Sequence, residues 1–251
     1  MRFKMNFKKL TGKTTVLTLM VLSLQANAAI SLDRTRIVFP GNQKSVSMTV
    51  TNENKQLPYL AQAWIENEKG EKISSPFIVL PPVQRVEPGA KTQTKIQATA
   101  ALKELPQDRE SVYYFNLREI PPRSNKPNVL QLALQTKIKL FYRPEALIKP
   151  DGTTPWQESI TLTRNGDHYI VHNPTGYYVT IIDAQPKGGK AASKFHALMV
   201  APKSDIDLGE PASSLGSNPE LVYINDFGGR PVLTFSCAGS ICKVTSTRNG
   251  D

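Results

Sequence analysis

The sequence has 251 residues, 39% of them hydrophobic and 21% charged, with 19 prolines and a formal net charge of +10. That length fits one large domain or two of about 100 to 125 residues, each able to bury its own core, and the apolar content excludes a disordered chain. The charge points to nucleic acid or a membrane surface only until its distribution is considered.

Five of the basic residues lie at the start. Arg2, Lys4, Lys8, Lys9 and Lys13 precede an acid-free apolar run, Val16 to Leu24, closed by Ala26-Asn27-Ala28. A basic segment, a short apolar stretch and an Ala-x-Ala end describe a secretory signal peptide, residues 1–28, cleaved after Ala28. The run is too short for the ~20 residues of a spanning helix. Its removal leaves 223 residues with a net charge of +5. Without a basic stripe carrying stacking aromatics, that charge does not describe a nucleic-acid binder. Thr11-Gly12-Lys13-Thr14 resembles the end of a phosphate-binding loop, but Phe7 stands where the first glycine is needed.

All the prolines follow this segment, spaced closely enough to exclude long helices. Between them apolar residues alternate with period two, which predicts half-buried strands. The expected strands are Ser31 to Phe39, Lys44 to Asn52, Pro58 to Glu66, Pro76 to Leu80, Thr92 to Ala98, Ser111 to Ile120 and Val129 to Tyr142. Seven strands with short turns point to an antiparallel sandwich. Pro144 to Pro150, closed by Asp151-Gly152, reads as a hinge, which sets a first domain at 29–147 and a second at 148–251. The second series runs through Glu158 to Thr163, His168 to His172, Tyr177 to Asp183, Phe195 to Val200, Pro231 to Cys237 and Ile241 to Thr245.

The segment Val129 to Tyr142 is unlike the others. Its 14 residues far exceed a typical strand of about 5 to 6. Leu130, Leu132, Leu134, Ile138 and Leu140 share one parity; Gln131, Ala133, Gln135, Lys137 and Lys139 share the other. Two readings follow. In one, the leucines belong to the domain's own core. In the other, the Leu130 to Leu134 end overhangs the core and offers backbone and alternate side chains to a partner strand, or to a second copy of the chain. Arg36, between Leu32 and Ile37, and Lys139 are solvated cations when taken singly. Should the first and last strands of the sandwich meet near the hinge, they converge on one anion.

Export favours reading the two cysteines, Cys237 and Cys242, as a disulfide. The tetrapeptide Ala238-Gly239-Ser240-Ile241 between them suits a hairpin, and a zinc site lacks two further ligands nearby. His168 and His172 fall on one strand face without a third ligand, and no Ser/His/Asp set is identifiable. No metal, no cofactor and no catalysis are expected. A secreted sandwich that binds carbohydrate is the physical alternative, but Tyr113, Tyr114, Phe115, Phe141 and Tyr142 lie within strands rather than at a loop end.

The stretch from Leu105 through Asp108-Arg109-Glu110-Ser111-Val112-Tyr113-Tyr114-Phe115-Asn116-Leu117-Arg118-Glu119-Ile120-Pro121 resembles the signature of the periplasmic pilus (fimbrial) chaperones. Ser31 to Arg36, Gln56 to Trp64, Gln135 to Pro144 and Tyr223 to Pro231 extend the resemblance over nearly all of the exported chain. It implies an all-β fold of two immunoglobulin-like β-sandwich domains in a boomerang arrangement. It implies a periplasmic chaperone that binds pilus subunits, both pilins and tip adhesin, by donor-strand complementation and delivers them to an outer-membrane usher. By matching position, Arg36 and Lys139 anchor the subunit's C-terminal carboxylate, and Leu130, Leu132 and Leu134 are lent to its incomplete sandwich. Glu110, Arg143 and Asp226 match charges that set the interdomain angle, and Cys237 with Cys242 matches a second-domain disulfide. The short connection from Ile120 to Val129 resembles the subgroup serving rod-like pili. The chain departs from the pattern by one missing residue around Ser74 to Phe77, and at Lys187 to Lys194 and Thr247 to Asp251.

Overall fold

A computed structural model describes residues 29–150, 153–189 and 195–250. The expected signal segment and the Asp151-Gly152 turn lie outside the described residues.

The first domain is a two-layer sandwich. Its strands are β1 (Ile30–Leu32), β2 (Arg36–Pro40), β3 (Ser45–Asn52), β4 (Tyr59–Glu66), β5 (Lys72–Ile73), β6 (Phe77–Leu80), β7 (Val83–Val86), β8 (Lys91–Ala98), β9 (Ser111–Ile120) and β10 (Gln135–Arg143). One sheet runs β1-β3-β8-β6 and the other β2-β10-β9-β4-β5, with β7 also pairing β4. The period-two residues of both sheets meet in one core that includes Phe39, Met48, Val50, Ile65, Phe77, Ile96, Phe115 and Leu140. Phe77 centres it, its ring 4.9 Å from Phe39 and 5.3 Å edge-on to Tyr113. Burial of this kind contributes about 1.5–3 kcal/mol per large side chain.

The expected strand Ser31 to Phe39 divides in two. Residues 30–32 pair antiparallel with β3, whereas 36–40 pair parallel with β10 in the opposite sheet. Asp33 sits at the change of sheet, where its carboxylate accepts the Thr49 N–H at 3.1 Å and is paired with Arg34. Val129 to Tyr142 also differs from expectation. Only 135–143 is hydrogen-bonded strand, and the last rung beyond it is the Glu119 N–H donating to the Leu134 carbonyl at 3.0 Å. Among the described residues the preceding leucines have no facing strand, because β9 gives way to Pro121-Pro122 at that level.

The second domain comprises β11 (Thr161–Asn165), β12 (His168–Asn173), β13 (Val179–Pro186), β14 (Leu198–Val200), β15 (Ser204–Pro211), the one-turn α1 (Ala212–Leu215), β16 (Pro219–Ile224), β17 (Val232–Ala238) and β18 (Ile241–Arg248). They form one hydrogen-bonded path, β14-β13-β16-β17-β18-β11-β12-β15. Every strand contributes to a single core, among them Leu162, Val171, Ile181, Val200, Leu208, Leu221, Phe235 and Cys242. The sheet must therefore fold over on itself into two layers. Bulges between Ile181 and Asp183 and between Thr234 and Phe235 supply bends. β15 and β16 escaped the sequence pattern. The first buries only Leu208 among acids and glycine, and the second opens on a proline.

Cys237 and Cys242 are bonded and stand directly opposite each other on β17 and β18. Gly239 turns the hairpin with φ +64°, which glycine adopts without steric cost. The closed loop is short, with a sequence separation of 5, so loop-closure entropy gives the bridge about 2 kcal/mol. Cys237→Ser combined with Cys242→Ala is expected to lower second-domain stability by about that amount in a denaturant titration, with an unchanged far-ultraviolet spectrum. Loss of the folded baseline altogether would show that the bridge organises the domain rather than trimming its stability.

Candidate functional site

The parallel pairing of β2 with β10 sets Arg36 directly beside Lys139. Their chain neighbours Ile37 and Leu140 point into the core, so the two cations share the outer face of that sheet. Arg36 donates one Nη1 hydrogen bond to the Ile224 carbonyl of the second domain, at 3.3 Å, while its buried Nε has no partner among the described residues. Burial pulls the Arg36 pKa down against the opposing charge of Asp226. Burial, and then the Arg36 charge, pull Lys139 down as well. Two partly desolvated like charges side by side favour an incoming anion. Asp226, the carboxylate whose charge acts on Arg36, is bonded to Arg143 instead. A cleft of about 490 Å³ opens here, lined by Asp33, Arg34, Thr35, Arg36, Val38, Asp226 and Phe227.

The chain leading into β10 carries the second feature. Ile138 packs against the core and Leu140 lies within it. Leu134, Leu132 and Leu130 continue their parity beyond the sheet and are 45, 64 and 82% exposed. A side-chain clasp holds this segment, with the Gln131 amide donating to the Pro122 carbonyl and its oxygen accepting the Ser124 N–H. Leu130 and Leu132 border a groove shared with Leu57, Tyr59 and Pro121. At ~3.4 Å per residue, Lys139 and Leu134 lie roughly 17 Å apart along the chain.

Arg143 ends β10 at the hinge. Its Nε donates to Glu110 at 2.7 Å, and its two Nη atoms bind Asp226 in bidentate fashion at 2.6 and 3.0 Å. Glu110 also accepts the Tyr178 N–H at 2.8 Å, so it holds both domains. The guanidinium lies 4.7 Å from the Trp156 ring and 5.2 Å from that of Tyr177, and those two rings stack at 4.3 Å. Burial opposes the charge on Arg143, but its hydrogen bonds to Asp226 and the charges of Glu110 and Asp226 outweigh it and raise the pKa. Burial pushes Glu110 up, against the pull of Arg143 and the Tyr178 amide. Sequence reasoning named the three charges but missed Trp156, Tyr177 and the Asp108–Lys203 ion pair that spans the same junction. The signal for Trp156 was present in Pro155-Trp156, a lone tryptophan just past the hinge.

The structure thus brings Arg36, Lys139, Arg143, Glu110 and Asp226 together at the junction. It places the leucines in the segment just before β10, at the far end from Arg143, and the disulfide elsewhere. His168 and His172 pair with Asp207 and Asp205 across the β12–β15 ladder. Among the described residues, no group of three or more His, Cys, Asp or Glu could hold a metal.

Comparison with known proteins agrees over both domains. Residues 29–148 match the family described as pili and flagellar-assembly chaperone, PapD N-terminal domain, and residues 155–235 match the pili assembly chaperone PapD, C-terminal domain. The chaperone protein PapD of Escherichia coli is 54% identical over 221 residues, 87% of this chain and 91% of that one. The probable fimbrial chaperone YfcS of Escherichia coli (strain K12) is 50% identical over 237 residues, 94% of each. Among solved structures, a chain of the Salmonella enterica SafA pilin–SafB chaperone complex superposes with a TM-score of 0.68 at 25% identity, over 83% of this chain and 96% of that one. The chain therefore belongs to the PapD family of pilus-assembly chaperones.

Proposed function

We propose that this chain is a periplasmic chaperone that captures pilus subunits through β10 and passes them to an outer-membrane usher. Arg36 and Lys139 hold the subunit's C-terminal carboxylate. Leu130, Leu132 and Leu134 supply the side chains its incomplete sandwich lacks. Glu110, Arg143 and Asp226 fix the angle between a first domain at 29–147 and a second at 148–251.

One observation carries this reading. Arg36 and Lys139, a cation pair without a carboxylate partner among the described residues, stand side by side on β2 and β10, and the segment leading into β10 carries an overhanging run of alternate leucines. An extended segment anchored by its end carboxylate can run along β10 and meet both. Main-chain bonds then give affinity and the leucine spacing gives register. The relatives named above as fimbrial chaperones, and a fold shared with a chaperone–pilin complex, support the assignment.

The experiment is recovery of a tagged chain from the periplasm and mass identification of what accompanies it. A pilin partner is expected; sugar binding without a pilin would reverse the assignment. Leu132→Glu tests the strand separately. Losing the leucine's burial alone removes about 2 kcal/mol, on the order of 30-fold in affinity, and a buried carboxylate adds to the loss. Wild-type recovery of complex from this variant would return the leucines to the chaperone's own structure.

A further inference from the structure

Phe227, in the loop between β16 and β17, is 96% exposed, more than any other large apolar side chain among the described residues. The loop that carries it is tightly held. The Asn225 side-chain oxygen accepts the Phe227 and Gly229 N–H groups at 3.0 and 2.8 Å, and the Asn225 N–H donates to the Gly229 carbonyl at 3.0 Å. Gly228 adopts φ +85°, and a Cβ there would stand 2.8 Å from the Thr35 hydroxyl, so glycine lets the turn close against the first domain. On the side before the ring, the Ile224 carbonyl accepts from Arg36 and the Asp226 carboxylate binds Arg143. A rigid turn therefore presents an aromatic ring to water, which costs little further ordering when something covers it.

The ring lines the same cleft as Arg36 and Val38. The cleft's two carboxylates are engaged, Asp33 by Arg34 and Asp226 by Arg143, which leaves the Arg36 cation beside an apolar wall; that pairing matches a group that is anionic at one atom and apolar at the next. The end of a polypeptide with a hydrophobic last residue has that form; a phosphate or a polar chain end leaves the ring uncovered. We infer that Phe227 is a specificity-determining residue of the cleft, packing against the apolar side chain of the captured subunit's last residue. The inference rests on the carboxylate reading of Arg36 and Lys139.

The test uses the chain from Ala29 and a synthetic peptide copying the C-terminal strand of the subunit that co-purifies, titrated by calorimetry. Covering part of an aromatic ring corresponds to about tenfold in affinity. Phe227→Ser is expected to weaken the peptide by that factor, and Phe227→Tyr to retain it. Both variants keep the wild-type melting midpoint, since the side chain touches no core. Replacing the peptide's last residue by Ser should cost the wild type a similar factor and cost Phe227→Ser little more. Wild-type affinity in Phe227→Ser, additive losses, or a subunit that ends in a charged residue overturns the inference. Undiminished binding of the amidated peptide, or of the free acid by Arg36→Ala, overturns the carboxylate reading and this inference with it. A Phe227 result that fails while those controls hold leaves that reading standing.

Discussion

Arg36→Ala and Lys139→Ala are each expected to abolish recovery of chaperone–subunit complexes while the chaperone itself remains folded. Truncating one partner of a buried, hydrogen-bonded charge pair costs about 2–5 kcal/mol of binding, which is roughly 30- to 5000-fold in affinity. The chaperone's own stability should change little, since Arg36→Ala gives up a single 3.3 Å hydrogen bond to the Ile224 carbonyl, about 1 kcal/mol. Both side chains lie on the outer face of their sheet, and removing either relieves the repulsion that depresses Lys139. Arg36→Lys should recover only part of the loss, because a point charge cannot replace the planar fork toward a carboxylate. A pH dependence follows from the same geometry. Burial and the neighbouring Arg36 pull Lys139 down, so its charge is lost at lower pH than that of an ordinary lysine. Capture requires that charge and should weaken as pH rises through the lowered value; Lys139→Arg should move the fall to higher pH. Complexes recovered in wild-type yield from either alanine variant would remove the carboxylate anchor from this cleft.

The parts of this site differ in how far the sequence alone defines them. The parity of Leu130, Leu132 and Leu134 against Lys137 and Lys139 is local, so the two-faced strand was legible. Whether its leucines overhang depends on where β9 stops, at Pro121-Pro122, and alternation left both readings open. The adjacency of Arg36 and Lys139 depends on a parallel pairing across more than 100 residues, for which the resemblance, not the pattern, supplied the expectation. The switch of sheets between Leu32 and Arg36 leaves only a faint mark in the sequence, a change of phase in which the core-facing residues move from even positions, Ile30 and Leu32, to odd ones, Ile37 and Phe39, across the polar stretch Asp33 to Thr35. Phe227 lies within the matched stretch Tyr223 to Pro231 with no role assigned by the sequence, because exposure is a property of the folded chain. The strands β15 and β16 were lost because acids, glycine and a leading proline mask a period that only Leu208, Leu221 and Tyr223 keep.

The hinge carries the other large effect. Arg143→Ala leaves Glu110, 3% exposed, without its countercharge, and leaves Asp226 without its bidentate partner. Breaking a buried ion pair from one side typically costs about 3–5 kcal/mol, to which the lost cation–aromatic stack on Trp156 and Tyr177 adds. A drop in unfolding free energy of that size is expected in a denaturant titration. Its pH dependence has a definite sign. Burial already holds Glu110 above its unfolded value, and removal of Arg143 raises it further. A carboxyl whose folded pKa is raised contributes stability below the unfolded value and loses it as pH rises through the folded one. The variant should therefore be least impaired in acid, and Glu110→Gln should rescue much of the loss at neutral pH. Capture should fall as well, even in the rescued double variant. Asp226 follows Ile224 by two residues and precedes Phe227, so releasing it frees the loop whose backbone touches Arg36. A double variant that regains both stability and capture would mean that the triad supports folding alone, and that the cleft keeps its shape without it.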